Sequence, residues 1–405
     1  MTSSTLSRGA ATWALLSLAV GSFGIGMTEF VVMGLLPNIA QDLLPVQWAA
    51  NQEDAIAQAG WLISLYALGV VVGAPTIAGA VAKYPRHKVM IALALALTVF
   101  NALTFLLPSF GLVAASRFLA GLPHGAYFGI GALVAADVLG PGKRAKGVAF
   151  VLTGLTIANV VGVPLGTYLG QQVGWRAAFI VVAAIFALAT VCIAFFVPEH
   201  EGDKARTFRA ELRVFTIGQV WLTLAVGAIG FGGFFAVYSY VAPMVTEVAG
   251  SPAWTVPIVL VVMGIGMTVG NLVGGVVADR NLKRTMLGGF VALAAVQSAL
   301  ALSAQGIWAL AVFIFATGFI SSCLSPAIQT RLMDVAEDNQ SIAAALNHSA
   351  LNMGNSLGAF LGGTVIALGW GFVAPAWVGV ALAAAGFVLA VVSFSVARRR
   401  EPVLA

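Results

Sequence analysis

Long apolar runs, separated by short clusters of proline, glycine and charge, set the rhythm of this chain. They fall near 11–36, 58–81, 89–107, 111–136, 146–170 and 176–197, and, after a polar stretch from Glu199 to Arg213, near 217–241, 255–278, 286–304, 307–330, 341–368 and 372–396. A membrane helix needs ~20 mostly apolar residues to cross a ~30 Å hydrocarbon core at ~1.5 Å per residue, and each run approaches or exceeds that length. The runs are continuous and lack the ~10-residue alternating segments of a membrane barrel, so they predict helices. The first run is too long for the core of a signal peptide and carries an acid, Glu29, which makes it a retained span. The pattern predicts an all-α integral membrane protein of 12 transmembrane helices, with no soluble domain between them.

The halves repeat. Asn159, Gly162 and Gly166 recur at the same spacing as Asn355, Gly358 and Gly362, an offset of 196 residues, and the same shift carries Lys83 onto Asp279. Two pseudo-symmetric six-helix bundles follow: residues 1–198, a cytoplasmic linker at 199–216, and residues 217–405. Repeated halves are the common plan of secondary transporters, with the substrate site between them near the midplane.

Composition excludes a soluble protein, for 60% of the 405 residues are hydrophobic and 9% charged, against about 25% charged in soluble chains. Charge then fixes orientation, because Lys and Arg are retained on the cytoplasmic side. With both termini inside, 18 of the 20 Lys and Arg fall on cytoplasmic segments: Arg8; Lys83, Arg86, Lys88; Lys143, Arg144, Lys146; Lys204, Arg206, Arg209, Arg213; Arg280, Lys283, Arg284; Arg331; and Arg398, Arg399, Arg400. The net charge of +5 is therefore a topology signal and calls for no nucleic acid. Arg176, at the outer mouth of the sixth span, and Arg117, inside the fourth, are the exceptions. Cys192 and Cys323 sit inside apolar runs as small hydrophobes, predicting neither a disulfide nor a metal pair.

After the eighth span the chain reads Gly275, three residues, Asp279, Arg280, two residues, Lys283, Arg284. This resembles the loop signature of the major facilitator superfamily, with Leu282 where that family usually has glycine. The resemblance implies the family's fold and a cytoplasmic latch in which Asp279 pairs with basic residues and with an acid on a neighbouring helix, here Asp334. The first-half copy has Lys83 in place of the acid and Arg86 in place of the glycine, leaving its basic residues to pair with Asp137. A plainer role for these charges is to anchor loops at lipid headgroups.

The fifth span carries Gly154, Ala158, Gly162, Gly166 and Gly170 at four-residue spacing, which lines small residues along one face, and Pro164 weakens the backbone ladder there. Gly162, Pro164 and Gly166 resemble the antiporter signature of proton-coupled drug exporters, although Val163 separates the first pair. The glycines of the eleventh span read as helix packing.

Glu29 and Arg117 are the clearly ionisable acid and base well inside spans. Charges at membrane depth are costly and face a partner or a wet cavity. Glu29 lies eight residues before Pro37, at the outer end of its span, and Arg117 six residues after Gly111, at the outer end of its own, which places both ~9–12 Å below the outer surface, close enough in height to interact if their helices are neighbours. The segments Met27–Ala40 and Arg117–Gly129 resemble the arabinose-efflux and chloramphenicol-resistance branch of the drug:proton antiporters, as do Gly174–Phe179 and the asparagines of the eleventh span. That resemblance implies adjacent first and fourth helices at a central cavity and a proton-transfer role for Arg117. Burial and a nearby cation act in opposite directions on a carboxyl, so Glu29 is poised to take up and release a proton, which would loosen its hold on Arg117; the plainer alternative is a static Glu29–Arg117 bridge that only fixes the helices. His124, seven residues after Arg117 on the same face, is a candidate relay or cavity residue, or else a partner for a backbone carbonyl.

Phe23, Phe30, Tyr66, Tyr127, Phe128, Asn159, Phe234, Tyr238, Asn352 and Asn355 are candidate cavity residues, suited to uncharged or amphipathic molecules. The expected partners are a small substrate, protons and the bilayer of a bacterial plasma membrane, with the chain a monomer. No cofactor is expected: a proton gradient supplies the energy, no nucleotide-binding loop is apparent, and nothing points to an enzyme. Proton-coupled efflux, sugar or nucleoside facilitation or symport, and a sensor on a transporter fold remain the alternatives.

Overall fold

The computed structural model describes residues 8–81, 83–140, 144–199, 214, 216–336 and 340–398. Among them all regular structure is helical, and twelve helices are long and apolar enough to cross a membrane: α1 Gly9–Leu43, α2 Gln52–Val81, α3 Arg86–Leu106, α4 Phe110–Leu139, α5 Ala149–Val173, α6 Trp175–Phe196, α7 Gly218–Tyr238, α8 Thr255–Arg280, α9 Leu282–Ser303, α10 Ile307–Val335, α11 Leu346–Trp370 and α12 Ala374–Ala397. The predicted linker at 199–216 lies outside the described residues except for Glu199, Val214 and Thr216, as do Lys143, Lys204, Arg206, Arg209, Arg213, Arg399 and Arg400.

Packing repeats between the halves. α2 lies on α4 as α8 lies on α10, α3 on α6 as α9 on α12, and α1 on α5 as α7 on α11. Small residues make these approaches possible. A Cβ on Gly69, Gly73, Gly121 or Gly125 would strike backbone across the α2–α4 contact, and one on Gly266, Gly270 or Gly274 would do so between α8 and α10. The α5 ridge packs on α1, with Gly162 against Met27 and Phe23, and Gly166 against Val31 and Met27. Pro164 has no N–H to donate one turn back, and the preceding Ala158–Gly162 widens into a π turn, which shifts the register around Asn159.

Two helices depart from the sequence pattern. α1 passes through Pro37 and ends at Leu43, because a membrane helix tolerates proline where neighbours supply its lost bonding. Glu29 is thus 14 residues, about 21 Å, from the end of α1, not close beneath it. The extra turns carry Asp42 to the start of α6, where it pairs with Arg176 and accepts from Trp175 Nε1 at 2.9 Å. That pair accounts for an arginine at the end opposite the other basic residues. α7 is interrupted by a π turn at Val226–Gly230 and stops at Tyr238 rather than continuing to 241.

Lys83, Arg86, Lys88, Lys146, Arg280, Lys283, Arg284 and Arg331 all lie toward one end, here called the basic end. The bundles meet in the opposite half, through α2–α11 and its symmetry counterpart α5–α8. Ser64 Oγ donates to the Ser356 carbonyl at 3.2 Å, Trp61 packs edge-on to Phe360, and Gln171 Nε2 donates to the Ala253 carbonyl at 2.9 Å. One continuous apolar core crosses this contact, with Val31, Leu35 and Ile63 from one bundle and Val241, Val259 and Leu260 from the other.

Backbone meets backbone across the bundles at Gly264, where an added Cβ would stand 2.5 Å from the Asn159 carbonyl oxygen. Backbone cannot turn aside as a side chain can, and overpacking costs about 1–3 kcal/mol. Gly264→Val is therefore expected to part the bundles at this end. Disulfide yield between cysteines placed at Ser64 and Ser356 should fall about fivefold or more, since 1.4 kcal/mol is tenfold in population. Unchanged yield would mean that α5 and α8 slide past the added side chain.

Candidate transport site

Arg117 is fully buried on α4. Its Nη1 donates to Thr28 Oγ1 at 2.7 Å and its Nη2 to the Thr28 carbonyl at 2.8 Å, while Thr28 donates onward to Asn101 Oδ1 at 2.5 Å. The Tyr66 ring lies 4.1 Å from the guanidinium carbon, a stacked position that a planar cation favours.

Glu29 is within electrostatic reach of Arg117 but does not pair with it. Among the described residues the ion pairs are Arg86–Asp137 and Arg176–Asp42. Successive residues on a helix point ~100° apart, so α4 meets Thr28 while Glu29 turns toward the other bundle. There Glu29 Oε1 accepts from Asn355 Nδ2 at 3.0 Å, across 326 residues of sequence. The expected hold of Glu29 on Arg117 is corrected to a hydrogen bond between bundles.

A cavity of about 220 Å³ lies between the halves. Glu29, Phe30, Phe231, Phe234 and Phe235 line its deep end, and the rest of its wall sets apolar Phe128, Leu152, Leu155, Met267, Pro326 and Leu351 among polar groups: Thr156 and Asn159 on α5, Thr268 and Asn271 on α8, Ser322, Ser325 and Gln329 on α10, and Asn347, His348 and Asn352 on α11. These polar groups stand on the halves of their helices nearer the basic end, so the cavity extends toward that end. Asn159 and Asn352 each donate to a carbonyl one turn back on their own helix, at 3.1 and 3.0 Å. The amide oxygens of Asn159, Asn347 and Asn352 are buried with no partner among the described residues. Such bare acceptors suit a ligand that brings O–H or N–H groups.

Of the candidate cavity residues, Phe30, Phe128, Asn159, Phe234 and Asn352 line the cavity. Tyr238 stacks behind Phe30 at 5.3 Å, and Asn355 stands behind Glu29. Tyr66 holds His124 Nδ1 at 3.0 Å, so His124 joins the site through a side chain, not a backbone carbonyl. Phe23 and Tyr127 do not line the cavity. Phe23 packs on Gly162, and Tyr127 donates to the Leu18 carbonyl at 3.1 Å. Phe128 lies edge-on to His124 and parallel to His348, with ring centroids 5.4 and 5.2 Å apart. His348, Thr156, Thr268, Ser322 and Ser325 also line it.

At the basic end Arg86 pairs with Asp137, as the first-half loop allowed. Asp279, Arg280, Lys283, Arg284 and Asp334 are exposed and form no ion pair among the described residues. The expected Asp279–Asp334 latch is therefore unassembled in this conformation, whose bundles meet at the other end. Water screens such exposed charges, and a pair there gains only ~0–1 kcal/mol.

The family model for the Major Facilitator Superfamily matches residues 18–282 and 254–405. The chain is 36% identical over 358 residues to the inner membrane transport protein YdhP of Escherichia coli (strain K12), covering 88% of this chain and 90% of that protein. It is 33% identical to the putative transporter AraJ of the same organism, covering 88% of each. It is 30% identical to the chloramphenicol resistance protein of Streptomyces lividans, covering 86% of this chain and 88% of that one. The crystal structure of the human organic anion transporter MFSD10 superposes with a TM-score of 0.68 at 14% identity, over 94% of this chain and 99% of that one, a likeness of fold. Twelve membrane helices in two repeated bundles around a shared cavity, with these matches, make the chain a multi-pass membrane transporter that belongs to the Major Facilitator Superfamily.

Proposed function

We propose that the protein exports small amphipathic molecules in exchange for protons, with Glu29 as the proton carrier. It acts as a monomer in a bacterial plasma membrane, with its basic end and both termini in the cytoplasm. The observation that carries this reading is the Glu29–Asn355 hydrogen bond, which ties the carboxylate on the cavity to the opposite bundle.

An ionised Glu29 can only accept, and it holds Asn355 by one bond. A proton gives it a donor, and Asn355 Oδ1 is a buried acceptor with no partner among the described residues. Proton uptake from outside thus adds a second inter-bundle bond, worth about 0.5–1.5 kcal/mol, and favours the cytoplasm-facing arrangement. Loss of the proton to the cytoplasm removes that bond and leaves a charge at membrane depth, which is costly. Substrate entering from the basic end then turns with the bundles to the exterior. Proton and substrate use neighbouring groups in alternation, as exchange requires. Relatives whose names refer to inner membrane transport and chloramphenicol resistance support an exporter.

The test is proton movement in proteoliposomes under an imposed pH gradient, on addition of a panel of amphipathic drugs and pentoses. Discharge of the gradient by a compound, with its movement in the opposite direction, is the expected result. Saturable movement without protons would make the chain a facilitator, and no movement of any compound would favour a sensor.

A further inference from the structure

Away from the central cavity, a second hollow of about 460 Å³ opens on the outer wall of the second bundle, where α8, α9 and α10 meet at the basic end. Its inner walls are apolar, with Val273 and Val277 on α8, Gly288 and Ala292 on α9, and Phe319 and Ile320 on α10, while Asn281 and Thr285 join the lining where α8 turns into α9. Val273 is 38% exposed, and a Cβ built on Gly288 meets nothing within 4 Å, so the hollow is open space facing the lipid. Arg280 and Arg284, from the last turn of α8 and the first of α9, stand at its mouth. Both are exposed, and neither forms an ion pair among the described residues. From Arg280 down to Val273 the trough runs seven residues along α8, about 10 Å into the membrane.

We propose that this hollow is a binding site for one anionic phospholipid of the leaflet at the basic end, its phosphate held by Arg280 and Arg284 and one acyl chain laid in the trough. Guanidinium groups match phosphate oxygens in geometry as well as in charge, and two of them at a level where headgroups begin define a phosphate position. Basic pockets between membrane helices on the cytoplasmic side are suited to anionic headgroups. A free phosphate would use the arginines but leave the apolar trough without an occupant, and a zwitterionic lipid would fill the trough but set its own cation against the arginines. The anionic lipid satisfies both parts.

Native mass spectrometry of the detergent-purified full chain tests this, with phosphatidylglycerol and phosphatidylcholine of identical acyl chains as probes. Wild type is expected to retain one phosphatidylglycerol that a tenfold excess of phosphatidylcholine fails to displace. Arg280→Gln with Arg284→Gln should lose that retention about tenfold or more, and Lys83→Gln, which removes a loop cation elsewhere, should not. Gly288→Leu fills the trough and leaves both arginines in place; it should also lose retention, and it keeps the test decisive if the double variant folds poorly. Equal retention of both lipids, equal loss in Lys83→Gln, undiminished retention in Gly288→Leu, or displacement by millimolar inorganic phosphate would each overturn the proposal.

Discussion

Glu29→Gln is expected to reduce uphill export to the level of empty vesicles while leaving substrate affinity within about threefold, or ~0.7 kcal/mol. The amide is an isostere of the protonated acid. It keeps an acceptor for Asn355 Nδ2 and supplies a donor beside Asn355 Oδ1, so the inter-bundle contact persists with no proton to lose. The variant should remain closed at the end away from the basic loops, read as undiminished disulfide yield between cysteines at Ser64 and Ser356 across pH 5 to 8, whereas wild-type yield should change with pH. Binding survives because Glu29 is one of many lining groups and the amide wall on α5 and α11 is untouched. Wild-type export by Glu29→Gln would remove Glu29 as the carrier. A large loss of binding with proton exchange intact for the remaining substrate would make it a substrate ligand instead. Asn355→Leu approaches the same contact from the other bundle and is expected to weaken closure without removing the proton site, giving proton leak uncoupled from substrate.

The spans were legible because membrane solvation is a coarse constraint: each run either is long and apolar enough to cross or is not. The repeat was legible for a related reason, since Asn159 and Asn355 mark equivalent points of α5 and α11. The ends were less so. Pro37 reads as a stop, yet α1 runs on to bring Asp42 to Arg176, a pair joining residues 134 apart. At the site, burial made Glu29 and Arg117 conspicuous, because charge inside a span needs a reason. Their partners were not conspicuous. Thr28, Asn101 and the serines and threonines of the cavity wall are common in membrane helices, where hydroxyls also bond their own backbone, as Thr98 and Ser298 do here. Which face each presents depends on helix rotation, and spacing along one helix does not fix its rotation against a neighbour. The aromatics show the same limit: Phe30 and Phe234 reach the cavity while Tyr127, equally buried, is spent between α1 and α4.

The sharpest separation of the two arginine pairings comes from Thr28→Val, a substitution of nearly equal volume that removes only a hydroxyl. If Arg117 were held by Glu29, this change would be mild. In the observed arrangement it strips Arg117 Nη1 of its acceptor and Asn101 Oδ1 of its donor, both fully buried. Leaving a buried polar group unsatisfied costs about 1–3 kcal/mol, more for a charged one, so a loss of about 3 kcal/mol or more is expected. Ser116→Ala is the matched control, because Ser116 shares a neutral hydroxyl contact of 3.0 Å with Thr104 beside the same arginine, and its loss should cost about 1 kcal/mol or less. The thermal midpoint in detergent should therefore fall clearly for Thr28→Val and little for Ser116→Ala, with substrate-driven proton movement reduced about tenfold or more in the first alone. Arg117→Lys should resemble Thr28→Val, since a single ammonium lacks the planar fork that reaches the hydroxyl and the carbonyl together over Tyr66. If Thr28→Val behaves like Ser116→Ala while Arg117→Lys is severe, the arginine is anchored elsewhere and a direct pairing with Glu29 regains its place in the mechanism.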